Sequence, residues 1–225
     1  MRNLSSAEIL VRSKLNDYYK SIMIEIIRRA NVIYSIYYKR FTTNFLLTDM
    51  EFCSLQFRKI IELLLVSTLI ANKEEYEKQS IEFEKNWNLD KKFKEINSIN
   101  PDFFPMGISI INSATLEQAN DIIWYKRNPK GLFKKKDFKK AHKFASGYLH
   151  VQNPFNPVPL TGHVDGFYHD LIDYLNRIIN LLEKHIITLC NRDYLYCEIS
   201  RKGEKEIQID MIYFKVKESK NILIR

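Results

Sequence analysis

Residues Val164 to Leu189 read VDGFYHDLIDYLNRIINLLEKHIITL, and their spacing decides the fold. Val164, Tyr168, Leu171, Leu175, Ile178, Leu182, His185 and Leu189 recur in steps of four and three. Steps of that size bring side chains onto one stripe of an α-helix, the seam along which helices pack. Phe167, Ile172 and Ile179 widen the stripe, which suits a helix packed within its own chain better than a free coiled coil. The stretch is predicted to be one helix of a bundle.

The pattern continues upstream. Ser5 and Glu8 form a capping box, and Ile9, Leu15, Ile22, Ile26, Ile33 and Tyr37 follow at helical spacing. This predicts a first helix from Ser6 to about Arg40, with a break over Phe41 to Asn44. Thr48 and Glu51 form a second box, opening a helix to about Ala71 whose centre, Ile60 to Ile70, is apolar almost all round. Asn72 suits its stop. Residues 73–95 read as an exposed charged helix anchored by Tyr76, Ile81, Phe83 and Trp87. Pro101 and Pro105 interrupt helix over 100–105. Thr115 and Gln118 open a short helix to about Tyr125; Asn128 to Gly131 is a turn; a basic helix runs from about Lys134 to Leu149. Three prolines make Val151 to Thr161 a loop.

Downstream the period changes. Tyr194 to Ser200 and Ile207 to Phe214 are β-rich runs around Arg201 to Glu204, a hairpin signal. A lone hairpin is marginal, so it should lie on the helical body or add a strand to a partner's sheet. The expected fold is mainly α: a helical bundle over 1–190 with a β-hairpin appendage over 191–225.

Composition agrees. The 225 residues are 45% hydrophobic and 28% charged, with only 6 Gly and 6 Pro. That excludes disordered and collagen-like chains, and the scarcity of glycine argues against an all-β fold. The three cysteines, Cys53, Cys190 and Cys197, have no CxxC spacing, and the five histidines show no zinc-ligand spacing with them. With no apolar leader and no apolar run long enough for a bilayer, a cytoplasmic protein with no membrane contact, metal or cofactor is expected.

The net charge is +8, and its distribution matters more than its size. Residues 126–143, KRNPKGLFKKKDFKKAHK, hold nine Lys/Arg and one Asp, leaving the remainder of the chain neutral. Lys126, Arg127, Lys130, Lys134, Lys135, Lys136, Lys139 and Lys140 are the candidate nucleic-acid contacts. The competing reading is a Lys-rich composition of a low-GC kind with no docking role. Phe133, Phe138 and Phe144 among the lysines, with Trp124 and Tyr125 before them, suit stacking on single-stranded bases. Phe133 and Phe138 equally suit the buried face of an amphipathic helix, with Ala141 and Ala145.

No P-loop, GxGxxG, GxSxG, HExxH or EF-hand pattern occurs. Two other places could carry chemistry. Lys143, His150 and Asn153 stand at a helix end and the start of a Pro-bounded loop, where a side chain is both fixed and accessible. His150 titrates near neutrality and suits a general acid or base, with Lys143 and Lys140 on a phosphate. In the structural reading, His150 and Asn153 only bond loop carbonyls. Arg58 and Glu62, four apart in an apolar helix, either pin neighbouring helices or line a site.

FRKIIELLLVSTLIAN (57–72), INPDFFP (99–105), SGYLHVQNPF (146–155) and NLLEKHIITL (180–189), in this order before a terminal hairpin, resemble a family of uncharacterised bacterial proteins over about residues 50–215. That resemblance implies a common fold and no activity. Lys143, six residues and His150 also resemble the motif of HEPN domains, helical ribonucleases of toxin–antitoxin, CRISPR and phage-defence systems. Lys stands where that motif has Arg, which keeps the charge and loses the bidentate fork. The resemblance implies metal-independent RNA cleavage by a homodimer. His150 would be the general acid/base, Lys143 and Arg58 the phosphate stabilisers, and Asn153 an orienter. The alternative is a non-catalytic subunit docking nucleic acid or a protein partner of a larger complex through 126–143.

Overall fold

Helix α1 spans Ser6–Tyr37. It stops short of Arg40 because Lys39 takes a left-handed backbone, φ 55°, which no α-helix of L-residues continues through. The computed structural model describes residues 6–73, 76, 88–110, 125–127, 131–149, 164–190, 193–202 and 206–214. The box at Ser5, the anchors Ile81, Phe83 and Trp87, the predicted helix at 115–125 beyond its last residue, and the loop 151–161 lie outside them.

Helix α2 spans Leu46–Ala71, so it opens before Thr48 and not through the expected box. Asp49 reaches back instead. Its carboxylate accepts the Thr43 N–H at 2.7 Å and the Thr42 hydroxyl at 2.8 Å. Phe57, Ile60, Ile61, Leu64 and Leu65 are fully buried, as the apolar centre of α2 predicts. Helix α3 is Leu89–Ile99, capped by Asn88, whose side chain accepts the Lys91 N–H at 2.9 Å. A 3₁₀ turn, Lys135–Asp137, leads into α4, Phe138–Gly147. Helix α5 is Val164–Glu183.

The helix predicted to reach Leu189 ends at Glu183. The chain leaves α5 at Lys184 and forms a strand, β3, over Lys184–Thr188. The sheet order is β2-β1-β3-β4-β5. Its other strands are β1 (Met106–Ile110), β2 (Tyr125–Arg127), β4 (Tyr194–Lys202) and β5 (Glu206–Phe214), and every pairing is antiparallel. β3 lies inside the sheet, with Ile186 and Ile187 buried. A strand buried in this way is apolar at consecutive positions, so over five residues it reads like a helix seam. Lys184, His185, Ile186, Ile187 and Thr188 pair with Glu198, Cys197, Tyr196, Leu195 and Tyr194. The two predicted C-terminal strands therefore belong to a larger sheet, and a boundary at 190/191 would cut it. The chain is mainly helical, with antiparallel strands at its C-terminal end. Among the described residues no helix is long and apolar enough to cross a membrane.

The chain divides into two units. The first comprises 1–70 and 133–179. In it the Phe57 ring meets Phe144 of α4 and Tyr174 of α5 at 6.3 and 6.0 Å. Arg29 of α1 donates to Gln56 of α2 at 2.6 Å, and the Tyr34 hydroxyl donates to Asn176 of α5 at 2.6 Å. The second unit comprises 71–132 and 180–225 and holds α3 and the sheet. Ile108, Ile186 and Tyr196 form a core cluster there. Two buried amides tie its segments together: Asn100 Nδ2 donates to Asn72 Oδ1 at 3.1 Å and to the Thr188 carbonyl at 2.7 Å, and Asn72 Oδ1 accepts the Cys190 N–H at 2.9 Å.

Candidate nucleic-acid interface

Phe138, Ala141 and Ala145 occupy one face of α4 and are buried, with Phe133 buried just before it. This decides between the two readings of these aromatics: they hold α4 in place and offer no ring to a base. Lys136, Lys139, Lys140 and Lys143 are exposed, as is Lys134, and Lys135 is half-buried. Positions three and four apart on a helix are neighbours, so Lys136, Lys139, Lys140 and Lys143 form one cationic face.

The single acid of the segment is spent elsewhere. Asp137 accepts the Lys134 N–H at 3.0 Å and forms a very short ion pair with Arg177 of α5. The Arg177 carbonyl in turn accepts the Phe133 N–H at 3.1 Å. Asp137 thus anchors the turn that leads into α4 and pairs with none of the lysines of that helix. Among the described residues no carboxylate pairs with Lys136, Lys139, Lys140 or Lys143.

The basic segment is divided between the two units. Lys126 and Arg127 lie on β2, opposite Ser109 and Ile108 of β1, in the second unit. Phe133 onward belongs to the first unit. Lys130 lies outside the described residues, as do His150 and Asn153. Of the candidate catalytic group, Lys143 is exposed on α4 and Arg58 sits on α2. Their sequence neighbours Phe144 and Phe57 touch, so the two cations are carried by adjoining helices.

Arg58 departs from expectation. Its Nε donates to Glu62 Oε1 at 3.0 Å, and Lys59 Nζ reaches Glu62 Oε2 at 3.1 Å. The Arg58 side chain is 37% exposed and that of Glu62 16%, so this is a flank pair running along α2 and not a buried pair. Among the described residues it reaches no neighbouring helix, and pairs of this kind contribute at most about 1 kcal/mol.

Two groups escaped the sequence reading. One is buried in the second unit. Lys92, only 1% exposed, places Nζ 3.4 Å from Glu95 and 5.5 Å from the Tyr76 ring centre. Tyr76 donates a very short hydrogen bond to the same carboxylate. Burial alone would raise the Glu95 pKa, but the Tyr76 hydroxyl and Lys92 hold it below its usual value. A buried lysine is tolerable only with such a partner, and this group fixes α3. The other is the α1–α2 connector, where Tyr37, Tyr38, Phe41, Phe45 and Leu46 are all exposed. Tyr-Tyr-Lys-Arg-Phe is visible in the sequence, but a helix break does not reveal which of its side chains face water.

Comparison of the chain with protein-family models, curated proteins and solved structures finds no match.

Proposed function

We propose that this protein binds nucleic acid, RNA in the first instance, by phosphate contacts along the lysine face of α4. The observation that carries this is the treatment of charge around Asp137. The one acid in the segment is bound to Arg177 and the backbone, while Lys136, Lys139, Lys140 and Lys143 are exposed and, among the described residues, have no carboxylate on them. In this reading the first unit is a helical bundle serving as a rigid platform, and β4 and β5 form a hairpin.

The choice of RNA, and of a cytoplasmic defence or toxin setting, comes from the HEPN-like spacing of Lys143 and His150. In the ribonuclease form of the proposal, His150 is the general acid/base, Lys143 and Arg58 carry the phosphate, and Asn153 orients. The Glu62 pair competes with the substrate for Arg58.

Anisotropy of a labelled single-stranded RNA, titrated in EDTA at several salt concentrations, tests both forms. Wild type should bind with a salt slope of about −3, four lysine contacts at about 0.7 each. Replacing Lys136, Lys139, Lys140 and Lys143 by Glu should abolish binding; unchanged affinity overturns the proposal. Gel analysis of the same samples reads cleavage. Loss of cleavage in His150→Ala with binding retained supports the ribonuclease, and binding without cleavage leaves a docking subunit.

A further inference from the structure

The connector between α1 and α2, with the helix ends beside it, presents apolar side chains to water. Tyr38 is 59% exposed, Phe41 50%, Phe45 59% and Leu46 49%, with Tyr37 at 41%. Single exposed apolar residues are ordinary, but five within ten positions make a patch, and patches mark contacts. Lys39 and Arg40 stand among the rings, both exposed, and residues 37–46 contain no acid. The Arg40 guanidinium lies 5.7 Å from the Tyr38 ring centre.

The connector is also held in shape. Arg40 and Phe41 both donate N–H to the Ser35 carbonyl, at 2.8 and 3.2 Å. Asn44 N–H donates to Thr42 Oγ1 at 3.0 Å, and Asp49 holds Thr42 and Thr43 as described. Lys39 and Asn44 both take left-handed backbones, φ 55° and 64°, a conformation that non-glycine residues adopt only at a cost of roughly 1 kcal/mol or more.

An aromatic track joins this patch to α4 within the same unit. Tyr37 meets Tyr168 of α5 at 6.0 Å, Tyr168 meets Phe167 at 5.0 Å, and Phe167 meets Phe144 of α4 at 5.7 Å. Rings interleaved with cations are what unpaired bases stack on, and the track ends at Phe144, on the helix that carries Lys139, Lys140 and Lys143. Resting on the nucleic-acid reading above, we infer that Tyr38 and Phe41, with Lys39 and Arg40, form a base-stacking surface that makes the protein select single strands over duplex. A second copy is the competing occupant, because α5 exposes Asp165, Asp170 and Asp173. Three adjacent rings with two cations favour the strand.

The experiment compares a single-stranded RNA, a duplex of equal length and an abasic strand, which keeps the phosphates and lacks the bases. Wild type should prefer the base-bearing strand by about 10-fold over the other two. Tyr38→Ala with Phe41→Ala should erase that preference. Abasic binding through α4 should stay unchanged in this variant, which also shows that it folds. Equal wild-type affinity for all three, or a preference that survives the double substitution, overturns the inference and leaves the α4 proposal standing. No binding by wild type to any strand overturns both. Sedimentation closes the alternative: a wild-type dimer that the double substitution dissociates assigns the connector to self-association and overturns the inference.

Discussion

His185 is fully buried in β3, and its Nδ1–H donates to the Leu182 carbonyl at 2.9 Å. Burial pushes its pKa down to about 4, only partly offset by that bond. The folded state therefore keeps the ring neutral where the unfolded chain, with a value near 6.5, takes a proton. Stability is full above pH 6.5 and falls as pH drops toward about 4, by about 3 kcal/mol across the window. Urea unfolding of wild type and His185→Gln at steps across that range checks this. The variant should lose most of the slope; an equal slope would place the acid sensitivity elsewhere. The burial of His185 was legible from its seam position, but its element was not. Lys184 to Thr188 is too short for periods of 3.6 and 2 to separate.

At the scale of elements, the close approach of β1 to its neighbours makes a sharp test. A Cβ on Gly107 would stand 2.3 Å from Leu132 Cδ1 and 3.5 Å from Leu181 Cδ1. Leu132 is buried and cannot swing to solvent. Gly107→Ala should cost about 1–3 kcal/mol by overpacking, and Leu132→Ala about 2–5 kcal/mol by leaving a cavity. The double variant should cost clearly less than the two together, because the methyl enters the vacated space. Additive losses would show that the strand yields instead. Helices over 6–37, 46–71 and 164–183 were legible because each repeats its period several times. β1 and β2 were not, being five and three residues long. The start of α2 was misjudged for a different reason. Thr48 and Glu51 match a local capping rule, but the connector offers Asp49 better donors in Thr42 and Thr43, and geometry outside the window settles which wins.

For the whole molecule, the question is which charges bind. The sequence shows one basic block, yet the fold puts Lys126 and Arg127 on β2 in one unit and Lys134 to Lys143 in the other. No sequence period marks that division, because it follows from a strand pairing with β1, which was itself not anticipated. If the net charge of +8 acted only as a diffuse field, neutralising any two or three of these cations would weaken RNA binding alike. If the lysine face of α4 is the docking surface, the effects must differ. Lys139→Gln, Lys140→Gln and Lys143→Gln together should flatten the salt slope by about two, since each phosphate contact contributes about 0.7. Lys126→Gln with Arg127→Gln should leave the slope where it was and change affinity less than threefold on the order of an exposed charge's weight. Equal flattening by both sets would reduce the interface to a field effect. Flattening by the β2 pair alone would move the docking surface to the sheet.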